Sequence, residues 1–285
     1  MPHVVDPASR IVFCEGRPSS LDALLLGNLP LLGHVLIQPV GGKHGMRAYI
    51  EGYLGSYPGS QPDYLCFRDR DFDVEPPERP QLISLSGQKP IWLSHRTTIE
   101  NYLIDADLIQ KYWSERENTP SWAHGPAFST DEIEDHIRGS VQELADYQAV
   151  RWSLARLKPG PRWPGIPTTW TTHGAGDIPV SLVYEDCLDQ ACQIVVSFQT
   201  RTKDVHSDRL QEYAEAYRQR FNDNHFIEER GYLIWFHGKD LLVQLCRRLT
   251  TNFPRRHYAD WAAENLDASK HPDLQQLVAL ASGIS

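Results

Sequence analysis

An α/β fold, built on a mainly parallel sheet flanked by helices and interrupted by a mostly helical insertion, is what this sequence of 285 residues predicts. Three observations lead there. Short apolar runs of strand-forming residues recur through the first hundred positions, with helical periodicity between them. Beyond about residue 106 the strand signal stops and long amphipathic patterns take over. After about 227 an apolar run followed by a helical pattern returns. The chain therefore divides into a first part of an α/β domain (1–105), a helical insertion (106–227) and a closing part with a last strand and helices (228–285).

Arg10 to Cys14 is the first run, of the kind that makes a strand buried on both faces, and it stops at Glu15-Gly16. Ser19, with Asp22 three positions later, supplies an N-cap for a helix whose buried face is Leu21, Leu24, Leu25 and Leu26. His34 to Val40 predicts a second strand that runs into Gly41-Gly42-Lys43, and residues 45–56 a helix. Residues 63–68 form the third strand and Gln81 to Leu85 the fourth. Ile91 to Leu93 is a short strand leading into a helix that carries Glu100.

The capping box Ser129-Thr130-Asp131-Glu132 opens a long helix, with Ile133, Ile137, Val141, Leu144 and Ala145 on one face and Gly139 the place for a break. Residues 159–179 read as a Pro/Gly-rich linker whose Trp163 and Trp170 pack over a core. Helices follow near 179–200 and 207–221. The run from Gly231 to Phe236 reads as the last strand, with His237-Gly238-Lys239-Asp240 beyond it and a helix through Leu249.

A net charge of −9 excludes a protein that coats nucleic acid through a broad basic face, although local basic groups occur at Lys43, His44 and Arg47, and again at Arg247, Arg248, Arg255, Arg256 and His257. Five cysteines without zinc or redox spacing read as free thiols, Cys14 and Cys66 within buried strands. There is no apolar run of membrane-spanning length and no signal-peptide layout, so the expected compartment is the cytosol.

The chemistry gathers after the third strand, where Asp69, Asp71 and Asp73 alternate. In an extended chain alternate side chains share one side, and carboxylates so placed repel unless a cation such as Mg²⁺ sits among them. A calcium loop of the EF-hand type is excluded: Val74 stands where the sharp turn needs Gly and Pro80 where the bidentate Glu belongs. A solvated acidic turn is the other reading. Ligands of parallel sheets bind beyond the strands' carboxyl ends, and Glu15, Gly41 to Lys43, and Asp69 with Asp71 all fall there.

Glu15-Gly16 after the first strand and Asp69-Arg70-Asp71 after the third resemble the TOPRIM superfamily. Phe13-Cys14-Glu15-Gly16, Gly41-Gly42-Lys43, Phe67 to Asp73, Ile99 to Leu103 and His237 to Leu242 together resemble the OLD-related TOPRIM proteins of phage-defence operons, over roughly residues 10–110 and 230–250. The resemblance implies a TOPRIM-like sheet, a nuclease acting as toxic effector, and regulation by an ATPase. No Walker A sequence occurs, so that ATPase would be a separate chain. One departure stands out: many relatives have an aspartate four residues after the glutamate, where this chain has Ser19. Either Asp22 faces away as helix surface, or a second metal position is weaker.

The expected site is Glu15, Asp69 and Asp71 on Mg²⁺ or Mn²⁺, with Asp73 outside the metal shell. Glu15 would bind metal or serve as general base, and Lys239 would stabilise developing charge on a phosphate. Glu100 either adds a carboxylate to the site or pairs with Arg96 on its own helix. Lys43 either approaches a phosphate or is a surface lysine beside a glycine turn. The expected partners are a nucleic-acid substrate (DNA, or RNA such as tRNA), a separate ATPase subunit and a second copy of the chain, with no membrane. The alternative function is a non-cleaving, TOPRIM-like docking or sensing subunit. A primase or topoisomerase fits less well, because no zinc motif is present.

Overall fold

The computed structural model describes residues 10–56, 61–85, 91–158, 181, 183–250 and 252–283. Five strands form one sheet: β1 (Arg10–Cys14), β2 (Val35–Pro39), β3 (Tyr64–Arg68), β4 (Ile83–Leu85) and β5 (Ile91–Leu93), in the order β2-β1-β3-β5-β4. All neighbours are parallel except β4 and β5. The exception follows from chain length, since the five residues between Leu85 and Ile91 are too few for a parallel crossover. The α/β class with a mainly parallel sheet is therefore as the sequence predicts. Central strands β1 and β3 are buried on both faces, with Ile11, Phe13, Cys14 and Phe67 at or near zero exposure, which is why their sequences are continuously apolar.

Helices α1 (Leu21–Asn28) and α2 (Met46–Gly55) connect the first three strands. A 3₁₀ helix, Ile99–Leu103, follows β5, and the chain is then helical: α3 (Ala106–Ser114), α4 (Thr130–Arg156), α5 (Tyr184–Thr202), α6 (Ser207–Phe221), α7 (Asn224–Glu228), α8 (Tyr232–Trp235), α9 (Gly238–Leu249), α10 (Arg255–Asn265) and α11 (Pro272–Ser282). Residues 1–144 and 224–285 form one compact unit, and 145–223 a second that lies within the predicted helical tract of 106–227. No described helix is long and apolar enough to cross a membrane. The linker expected at 159–179, with Trp163 and Trp170, falls outside the described residues apart from its flanks.

Three local expectations change. The run from Gly231 to Phe236 is not a strand: Tyr232–Trp235 is helical, with Trp235 N–H bonded to Gly231 O at 3.0 Å and Phe236 N–H to Tyr232 O at 3.0 Å. A short apolar run has no readable period, and Tyr232, Leu233 and Phe236 are buried at helical spacing. Lys239 thus sits in the first turn of α9, not at a strand end. The N-cap of α1 is Ser20, whose hydroxyl accepts from Ala23 N–H, in place of Ser19. Helix α4 runs unbroken through Gly139, because the missing side chain there leaves room for Arg248: a Cβ would meet its guanidinium at 2.3 Å. The capping box at its start forms as predicted, Ser129 N–H donating to Glu132 Oε2 and Glu132 N–H to Ser129 Oγ.

The loops after β1 and β2 are clipped together. Gly16 and Gly41 exchange both backbone hydrogen bonds, each 2.8 Å, and both have positive φ (90° and 84°). A Cβ on Gly16 would lie 2.3 Å from Ser20 Oγ, so both the backbone angle and the space demand glycine. Gly16→Ala is expected to lower the free energy of unfolding by about 2–4 kcal/mol, combining left-handed strain with overpacking. Urea denaturation of the variant beside wild type measures it.

Candidate active site

Strand β3 ends at Arg68, and the next three residues point in alternate directions. Asp69 is 5% exposed, and its Oδ1 accepts Ile99 N–H at 2.9 Å, at the start of the 3₁₀ helix. Arg70 turns the opposite way and is fully buried. Its guanidinium donates to the carbonyls of His95 (3.2 Å), Val74 (2.7 Å) and Ile234 (2.5 Å) and to Thr97 Oγ1 (3.2 Å). Asp71 N–H donates to Thr97 O at 2.8 Å, and Asp71 takes a left-handed conformation, φ 51°. The β3 loop is thereby fastened to the β5 loop and to α8, with Asp69 and Asp71 turned toward α1 and α9.

The other predicted residues arrive from separate elements. Glu15 leaves the end of β1, with Oε1 4.0 Å from the Arg68 guanidinium. Glu100, on the 3₁₀ helix, lies 3.9 Å from Lys239 Nζ in the first turn of α9. The pairing of Glu100 with Arg96 does not form: Arg96 donates to Asn101 O at 2.6 Å and covers the Tyr102 ring. Lys43 is not a plain surface lysine, because its ammonium bonds Asp71 Oδ2 at 2.8 Å and Asp73 Oδ1 at 3.3 Å. Asp73 belongs to the cations beside it: Arg68 reaches it at 2.7 Å, and although burial works the other way, Arg68 and Lys43 hold its pKa below the usual value.

Asp22 is the residue whose role the sequence left open. It does not face away as helix surface. With Ser20 as N-cap it occupies the second position of α1, its Oδ1 is buried, and its charge is felt by Glu15 and Asp69. Burial, then repulsion from Glu100, raises its pKa to about 6. Burial followed by Asp71 raises Glu15 to about 7, against the opposing pull of Arg68. Asp69 is pushed well above the carboxylate range by burial and by Asp22, Glu100 and Asp71. Burial alone would lower the pKa of Lys239, but Glu100, Asp69, Asp22 and Asp71 outweigh it and raise it.

The site is thus an acid-rich cleft of oxygen donors, which in chemistry suits a hard divalent cation. Glu15 Oε1, Asp22 Oδ1 and Glu100 Oε2 are buried and have no hydrogen-bond partner, the condition that a cation would relieve. As the side chains stand, no group of three or more His, Cys, Asp or Glu among the described residues is arranged to hold a metal ion, so ligation requires rotamer changes. His237, stacked on Phe72, brings Nε2 to 3.9 Å from Asp71 Oδ1, a neighbour that its sequence spacing did not reveal. The signal for Asp22 was its place beside a Ser-Ser pair, where the helix start is ambiguous by one residue.

No protein-family model matches the chain, and no curated protein matches it.

The raised carboxyls carry a pH dependence of definite sign. A group whose folded pKa lies above its unfolded value stabilises the protein below the unfolded value and loses that contribution as pH rises through the folded one. For Glu15 (4.5 to about 7) and Asp22 (3.8 to about 6), stability without metal falls between pH 5 and 8. Thermal melts in chelator are expected to show this fall, and a shallower one in Glu15→Gln. A fall of equal depth in the variant would remove Glu15 from the repelling cluster.

Proposed function

We propose that this chain is a metal-dependent nuclease of the TOPRIM type, cleaving phosphodiesters of DNA or RNA as the toxic effector of a phage-defence system with a separate ATPase as its regulator. The observation that carries the catalytic part is the meeting of Glu15, Asp22, Asp69, Asp71 and Glu100 at the carboxyl ends of β1 and β3, with three of their oxygens buried and unpartnered. Glu15-Gly16 follows β1 and Asp69-Arg70-Asp71 follows β3, the order in which the superfamily resemblance has them. The defence setting and the ATPase rest on that resemblance alone.

Asp69 and Asp71, joined by Glu15, Asp22 or Glu100, would hold a divalent ion, which when bound would orient a phosphate and offset charge in the transition state. Lys239, its side chain 58% exposed and its ammonium kept charged by its acidic neighbours, is free to donate to a phosphate oxygen. Glu15, raised to about 7, has the proton affinity of a general base toward water at neutral pH. Lys43 and Arg68 are already committed to Asp71 and Asp73 and keep that side of the cleft in place.

A second reading, a non-cleaving docking or sensing subunit, draws on the absence of a ready-made metal cluster among the described residues. Incubation with Mg²⁺ or Mn²⁺ and a panel of DNA, total RNA and tRNA separates the two. Cleavage is expected for wild type, with losses of about 10²-fold or more in Glu15→Ala and Asp69→Ala and a comparable loss in Lys239→Ala. Undiminished cleavage by Glu15→Ala would overturn the assignment. Mg²⁺ binding that vanishes in Asp69→Ala, read by calorimetry, tests the site without relying on cleavage.

A further inference from the structure

Arg247, Arg255, Arg256 and His257 form an exposed basic corner where α9 gives way to α10. Arg255 lies close enough to Cys246 for its charge to lower that thiol's pKa against burial, which puts the start of α10 beside the last turn of α9. Among the described residues none of the four makes an ion pair. Arg248, by contrast, is taken up by Glu143. Asp260 and Glu264, the acids of α10, make no ion pair with the corner either.

The arrangement works against helix stability. Arg255, Arg256 and His257 fill the first turn of α10, which contains no acidic residue, so three basic groups face the positive end of the helix dipole. In a chain of net charge −9, acids are plentiful, yet none is recruited here. Clustered cations that find no internal partner and oppose the dipole are suited to an external polyanion.

Both helices lead back to the carboxylate cleft. Lys239 opens α9, and Arg247 follows eight residues later, about 12 Å along the axis at 1.5 Å per residue. Helix α10 packs on α1, which carries Asp22, and Tyr258 in its first turn donates its hydroxyl to Leu103 O, three residues beyond Glu100. We infer that the α9–α10 corner is the surface that holds the phosphate backbone of a nucleic acid whose scissile bond lies in the cleft. This rests on the nuclease reading for the identity of the polyanion.

The test measures binding of fluorescein-labelled single-stranded DNA and RNA oligonucleotides to the full chain by anisotropy, in chelator so that nothing is cut, between about 50 and 200 mM salt. Arg255→Ala/Arg256→Ala is expected to weaken binding about tenfold and to reduce the slope of log affinity against log salt by about 1.4–1.8, that is 0.7–0.9 for each lost phosphate contact. Arg247→Ala should act in the same direction, whereas Arg209→Ala, on α6, should bind as wild type does. Circular dichroism melts confirm that each variant is folded. Unchanged affinity and slope in the double variant, or no binding by wild type, overturns the inference. Cleavage with Mg²⁺ separates this from the catalytic reading. If wild type cuts and the double variant binds normally, only the basic corner fails. If wild type does not cut but the variant binds weakly with a reduced slope, only the catalytic reading fails.

Discussion

The candidate site depends on the burial of a single guanidinium. Arg70 stands between the two aspartates of its loop and spends its donors on three backbone carbonyls and a threonine hydroxyl, each from a different stretch of chain. Burial pushes its pKa down to about 10, yet it stays charged at any physiological pH. A buried arginine is costly, and the cost is bearable only because its donors are used. The same bonds decide the direction of Asp69 and Asp71, since alternate residues of an extended strand must point the other way. They also satisfy Ile234 O, one of the carbonyls that a helix as short as α8 leaves without an internal partner.

On the opposite side of that loop the problem is one of like charges. Unit charges at 4 Å interact by about 1 kcal/mol in water and about 4 kcal/mol near a protein surface, so five carboxylates in one cleft constitute substantial repulsion. The chain offsets part of it with its own cations, Lys43 and Arg68 on the Asp71–Asp73 side and Lys239 on the Glu100 side. The offset is uneven. The Asp73 side is closed by direct bonds, whereas the Glu100 side is spanned by one long ion pair from an exposed lysine. The Lys239 side is where an incoming group displaces least.

Much of this was legible in the sequence because the signals were local. Two-sided burial makes β1 and β3 continuous apolar runs, and the abrupt carboxylates after them mark strand ends directly. The three features that were not legible depend on tertiary context. Tyr232 to Trp235 are apolar enough for either strand or helix, and the choice falls to Arg70 and Thr97, which bond the carbonyl of Ile234 from 164 and 137 positions away. Asp22 turns inward because Ser20 and not Ser19 caps α1, and Gly16 packs against Ser20 so closely that the alternative register would disturb the clip to Gly41. Glu100 had two partners in reach by spacing, and the carbonyl of Asn101 removed one of them by engaging Arg96.

The clip between Gly16 and Gly41 uses backbone atoms alone. Its strength is therefore indifferent to the side chains around it, and Arg17, Gly42 and His44, all at the rim of the cleft, are not needed to keep Glu15 and Lys43 in register. A lineage carrying this fold is then able to rewrite the rim, and with it the choice of target, by single substitutions that leave the carboxylates where they are. The constraint falls on two glycines, and the freedom falls on their neighbours.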